Sequence, residues 1–80
     1  MARFDVYVTY KKGIFDPPGA TAERALQHLG YDEVRSVRIG KYVQLEVADG
    51  TSEDRVREMC EKLLANPVIE DFRIVRVEEA

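Results

Sequence analysis

Val34-Arg35-Ser36-Val37-Arg38-Ile39-Gly40-Lys41-Tyr42-Val43-Gln44-Leu45-Glu46-Val47-Ala48 holds two alternating runs on either side of one Gly-Lys pair. In the first run Val37 and Ile39 share a side. In the second, Val43, Leu45 and Val47 share one side, and Tyr42, Gln44 and Glu46 share the other. A period of two marks a half-buried strand. A Gly-first pair between such runs suits a tight type II′ turn. The stretch therefore predicts two strands, 34–39 and 42–48, joined as a hairpin at Gly40-Lys41.

Upstream, Arg3 to Lys11 alternates in the same way, with Phe4, Val6, Val8 and Tyr10 against Asp5, Tyr7 and Thr9, and predicts a first strand. Lys12-Gly13-Ile14-Phe15-Asp16-Pro17-Pro18-Gly19 interrupts it with two prolines and two glycines, the composition of an ordered turn. Ala22, Ala25, Leu26 and Leu29 then recur at i, i+3, i+4 and i+7, which predicts a short helix with Thr21 as N-cap and Gly30 as C-cap.

Downstream, Thr51-Ser52-Glu53-Asp54 has the form of a capping box in its Asp variant. A second helical stripe follows at Val56, Met59, Cys60, Leu63 and Leu64, and Asn66-Pro67 stops it. A last strand spans about Asp71 to Val77. Phe72 and Ile74 share one face there and Val75 and Val77 the other, so a bulge or two-sided burial is expected.

The order β-α-β-β-α-β predicts an α+β fold of the ferredoxin-like kind. Its form is a two-layer sandwich, a four-stranded antiparallel sheet with both helices on one face. The open face would carry Asp5, Tyr7, Ser36, Arg38, Tyr42, Gln44 and Glu46. With no linker or low-complexity stretch, residues 1–80 read as a single domain.

Eighty residues build only a thin core, and small domains compensate with disulfides, a structural metal or oligomerisation. Cys60 is the lone cysteine and His28 the lone histidine, too few for a disulfide or a Cys/His zinc site. Self-association is the remaining route. The single thiol and the lack of a signal peptide suit a reducing, cytoplasmic setting, and no apolar run approaches the ~20 residues of a membrane span. The net charge is −3. Residues 1–48 carry 7 basic and 6 acidic side chains, and residues 49–80 carry 5 and 9. No segment has the basic stripe of a nucleic-acid binder.

No catalytic constellation is legible. His28 lies opposite the apolar stripe of its helix, without a partner for a triad or a metal. Cys60 lies within a stripe, where it reads as a buried small hydrophobe. The Gly/Pro loop lacks the Lys-Ser/Thr of a P-loop, and its prolines remove amide donors. An RNA-recognition domain shares the element order, but GKYVQLEV lacks that family's aromatic run. A stand-alone ligand-sensing domain of the same topology is the alternative from another class.

Three segments carry a family resemblance. Lys11-Lys12-Gly13-Ile14-Phe15-Asp16-Pro17-Pro18-Gly19, Val37-Arg38-Ile39-Gly40-Lys41 and Cys60-Glu61-Lys62-Leu63-Leu64-Ala65-Asn66-Pro67-Val68-Ile69-Glu70-Asp71-Phe72 resemble the characteristic stretches of PurS, the small subunit of phosphoribosylformylglycinamidine (FGAM) synthase. Pro18 and Phe15 depart from the family pattern, where Gln and Leu are usual. The resemblance implies a non-catalytic subunit of de novo purine synthesis. It implies dimers or tetramers that bridge a glutaminase (PurQ) and an ATP-dependent synthetase (PurL), and that help ammonia pass between them. The complex as a whole makes FGAM from formylglycinamide ribonucleotide, glutamine and ATP. It implies no cofactor in this chain, with ATP and Mg held by the synthetase. Candidate contacts with other subunits are Lys11, Gly13, Asp16, Pro17 and Gly19 in the loop, Arg38, Gly40 and Lys41 at the expected hairpin, and Asn66, Pro67 and Glu70 after the second helix.

Overall fold

A computed structural model describes residues 1–77. It contains β1 (Ala2–Tyr10), α1 (Pro17–His28), β2 (Lys41–Val47), α2 (Glu53–Met59) with a π-helical continuation (Cys60–Leu64), and β3 (Glu70–Val77). The fold is α+β. The described strands form one three-stranded antiparallel sheet in the order β2-β1-β3.

Register follows the alternation. Phe4 faces Leu45, Val6 faces Val43 and Ile74, and Val8 faces Phe72, which puts these apolar residues of the three strands on one side. Val56, Cys60 and Ala65 close over Phe4, Val6 and Val8, and these six residues are the buried core. Of the two alternatives for β3, a bulge or burial on both faces, the second holds. Its pairing with β1 runs unbroken from Arg3–Val77 to Tyr10–Glu70, so Val75 and Val77 simply lie on the opposite face, half-buried.

Two expectations are corrected. Residues 34–40 belong to no strand, and there is no turn at Gly40-Lys41. The reason is steric: a Cβ on Gly40 would lie 2.1 Å from the Val8 carbonyl oxygen, so Gly40 serves a close backbone approach to β1 rather than a turn. Secondly, only α2 lies on the sheet. α1 makes no substantial packing contact with strands or with α2, and it leaves its stripe outside the core. Among the described residues the sheet therefore has three strands and one covering helix.

The caps also differ. Asp16, not Thr21, is the N-cap of α1, accepting from the Gly19 amide, and Pro17 and Pro18 occupy the first turn, where proline's missing N–H costs no helix bond. Leu29, not Gly30, is the C-cap of α1, and Gly30 follows it at φ +102°, the left-handed position after a helix that glycine favours. Ser52, not Thr51, caps α2 by accepting from the Arg55 amide at 3.2 Å. The Ala65 amide bonds to the Cys60 carbonyl at 2.9 Å, an i→i+5 bond. The wider winding turns Leu63 outward to 82% exposure, although helical spacing had placed it in the stripe.

Candidate functional site

The three sequence segments singled out above converge at one end of the sheet, where β1 finishes and β2 and β3 begin. Asp16 is the hub. Its Oδ1 accepts from the Gly19 amide at 3.0 Å, and its Oδ2 accepts from the Ile39 amide at 2.8 Å. These two amides, Ile39 foremost, hold the carboxyl below its ordinary pKa, and Arg38 nearby adds to the effect. Gly19 packs so tightly that a Cβ would lie 2.4 Å from the Val37 carbonyl oxygen. One carboxylate thus fastens the start of α1 to the extended segment before β2.

The neighbouring residues are tied in the same manner. The Arg38 guanidinium donates to the Tyr10 carbonyl. Lys41 Nζ donates to the Leu64 carbonyl at 2.8 Å, which places a cation at the C-terminal end of the helix where the dipole favours it. The Asn66 amide donates to Glu70 Oε1 at 2.7 Å, and Asn66 Oδ1 accepts from the Val68 amide at 3.1 Å. The Lys11 amide donates to the Ile69 carbonyl at 2.8 Å, and its Nζ stands 3.3 Å from Asp71. Tyr10, Pro18, Ile39, Gly40, Lys41 and Glu70 line a shallow open hollow among these ties.

The structure brings Asp16, Gly19, Arg38, Gly40 and Lys41 into one contiguous set, with Asn66 and Glu70 beside it. Gly13 turns the loop at φ +90° with open space around its Cα. Pro17 and Pro67 are exposed. The polar groups of this set bond mainly within the chain, so their immediate effect is to fix the path of residues 11–20 and 37–41. Nothing in the set is arranged for bond-making chemistry. No group of three metal-ligating side chains occurs among the described residues.

A second cluster on the open sheet face escaped sequence reading. Asp5 is only 7% exposed. It is bonded to Arg3 Nε at 3.1 Å and accepts from the Tyr42 hydroxyl at 2.9 Å. Gln44 and Arg3 donate in turn to that hydroxyl, at 2.8 and 3.3 Å. The Tyr42 ring stacks on Tyr7 at 5.1 Å, and Arg73 lies 4.7 Å over Tyr7. Arg3 chiefly, helped by Tyr42 and opposed by burial, keeps the Asp5 carboxyl below its usual range. The alternation had placed Asp5, Tyr7, Tyr42 and Gln44 on this face. The Arg3–Asp5 spacing of two, with Tyr42 diagonal to Asp5 across the β1–β2 pair, was the unread signal. Ser36 and Arg38, expected on the same face, belong to no strand.

The family profile described as "PurS: Phosphoribosylformylglycinamidine (FGAM) synthase" matches residues 3–78. The chain belongs to the PurS family. Among relatives, the phosphoribosylformylglycinamidine synthase subunit PurS of Bacillus subtilis is 49% identical over 75 residues, 91% of this chain and 89% of that protein. A solved B. subtilis PurS superposes with a TM-score of 0.86 at 48% identity, over 98% of this chain and all of the other. A chain in the structure of PurLQS from Thermotoga maritima matches with a TM-score of 0.81 at 34% identity, covering 95% of this chain and 96% of that one. The match runs through both the family-type loop and the open-face cluster, so family membership accounts for the fold as a whole and not for one motif.

Proposed function

We propose that this chain is the non-catalytic assembly subunit of an FGAM synthase in de novo purine synthesis. It bridges a PurQ-type glutaminase and a PurL-type synthetase and helps ammonia pass from one to the other. The observation that carries the reading is a full-length family match, together with the likeness to a chain in PurLQS. The geometry suits this reading, because side-chain and backbone hydrogen bonds tie the family-type residues together at one end of the sheet. A rigid bridge suits ammonia transfer. Water must be kept from the path, since protonation removes the nucleophile.

In this role the chain acts as one domain in the cytoplasm. It holds no cofactor itself, and ATP and Mg belong to the synthetase subunit. Lys11, Gly13, Asp16, Pro17, Gly19, Arg38, Gly40, Lys41, Asn66, Pro67 and Glu70 contribute to subunit contacts chiefly by setting the shape of the surface. The four-stranded, ferredoxin-like layer is a property of the assembled protein. The test is co-purification: the chain is expected to hold both larger subunits in one complex in the presence of glutamine and nucleotide. Recovery of neither subunit with the chain would reject the assignment.

A further inference from the structure

α2 does not finish with α winding. Across Cys60–Leu64 it widens into a π turn, and the Ala65 amide reaches back past Glu61 to the Cys60 carbonyl at 2.9 Å. π winding is rare, and its single turns are found frequently at functional sites. With no intrinsic preference in its favour, the turn has to be held by contacts from outside it.

Three contacts do this. Ala65 is buried in the core with Val56 and Cys60. The Asn66 amide donates to Glu70 Oε1 at 2.7 Å, just beyond the turn. Lys41 Nζ donates to the Leu64 carbonyl at 2.8 Å. The first two lie within one short stretch of chain. Lys41 comes from the start of β2, 23 residues away. It brings a full charge to one of the carbonyls that a helix end leaves without a partner. Lys41 is also exposed, so it can let go without opening the core.

The same residues have a second winding open to them. In the α form the Leu64 amide takes the Cys60 carbonyl, and the Ala65 amide takes that of Glu61. Leu63 then returns to the side of the helix that carries Val56, two turns earlier. In the π form it points outward, at 82% exposure. There it joins Leu45, Met59 and Leu64 around an open, almost wholly apolar hollow. The hollow thus belongs to the π form.

We propose that Lys41 is a register clamp. By holding the Leu64 carbonyl it keeps the turn in the π form, and so keeps Leu63 on the surface. The clamp is itself well anchored: Lys41 pairs with Val8 across β1–β2, and Gly40 before it packs on the Val8 carbonyl. Lys41 does not line the apolar hollow. It acts on that surface only through the helix end, as a positioning residue. A group that draws the ammonium away releases the turn, and the hollow beside α2 closes. The inference concerns the shape of this one chain and stands apart from which subunits it joins.

The test is NMR on the full chain. In the natural protein, coupling across the hydrogen bond is expected to join the Ala65 amide to the Cys60 carbonyl. Lys41→Met keeps the aliphatic stem and removes the donor. It is expected to lower the ratio of π to α winding about tenfold or more, the scale of a lost hydrogen bond to a charged group. The coupling to Cys60 then moves to the Leu64 amide, and the Leu63 methyls gain contacts with Val56 and protection from a soluble paramagnetic probe. Lys41→Arg keeps a charged donor and is expected to retain the natural pattern. A Lys41→Met chain with the natural coupling and an exposed Leu63 overturns the proposal. So does a loss in Lys41→Arg as large as in Lys41→Met. A Lys41→Met chain that also loses amide protection at Val6 overturns it too, because the lysine would then hold the fold and not the register.

Discussion

The Ile39 amide donates to Asp16 Oδ2 at 2.8 Å across 23 residues of sequence. One loop carboxylate thereby sets the direction in which α1 and the segment before β2 leave the sheet. Since Oδ1 also caps α1 through Gly19, Asp16 couples a local function to a long-range one. Asp16→Ala is expected to speed hydrogen exchange at the Gly19 and Ile39 amides more than at Val6 in the sheet centre. Equal protection in the variant would show that the carboxylate does not hold α1 to the segment before β2.

Acid should release the same contacts. Asp16 and Asp5 are both held below the ordinary carboxylate range, by the Ile39 and Gly19 amides and by Arg3 with Tyr42 respectively. A carboxyl with a lowered folded pKa contributes stability that is present above its unfolded value of about 3.9. That contribution is lost as pH falls through the lower folded value. Carboxyl carbon shifts followed by NMR should give midpoints below 3.9 for both residues. A midpoint at or above that value for either would contradict the bonding described.

Gly40 and Gly13 separate two uses of glycine. Gly40→Ala drives a Cβ into the Val8 carbonyl, and overpacking of this kind costs about 1–3 kcal/mol. For a domain of this size that is a fall in melting temperature on the order of 5–20 °C. Gly13 has open space around it and only its positive φ to satisfy. Gly13→Asn is therefore expected to be mild, since Asn tolerates that region. Thermal melts of both variants check the contrast, and an equal loss would refute it.

Cys60 is fully buried, and burial pushes its thiol pKa up. In the folded protein it should react with a thiol reagent far more slowly than after denaturation, because the thiolate is the reactive form and access is closed. Prompt labelling under native conditions would place the residue outside the core.

Much of the fold was legible because alternation and helical spacing report burial directly. Phe4, Val6 and Val8 in β1, Val56 in α2 and Cys60 at the start of its π-helical continuation are core residues that their spacing predicts. The departures come from contacts that spacing does not encode. Gly40-Lys41 has the composition of a turn, but whether the chain turns there depends on the Val8 carbonyl against which Gly40 packs. Leu63 keeps the stripe's period, yet the π-helical continuation, with Lys41 on its last carbonyl, rotates it outward. Asp5 reads as a solvated strand residue until Arg3 and Tyr42 are seen to cover it. The stripe of α1 keeps helical spacing, yet Ala25 and Leu29 stay exposed, because spacing alone does not say against which surface a helix packs.

The assembly role is tested most directly by glutamine-dependent FGAM formation in a reconstituted mixture of PurL- and PurQ-type subunits, with and without this chain. Synthesis from glutamine is expected to depend on adding the chain, whereas synthesis from ammonium salts by the synthetase alone is not. Arg38→Ala with Lys41→Ala, which removes the ties to Tyr10 and Leu64, should lower the glutamine-driven rate and spare the ammonia-driven one. Full glutamine-dependent turnover in the absence of the chain would contradict the account.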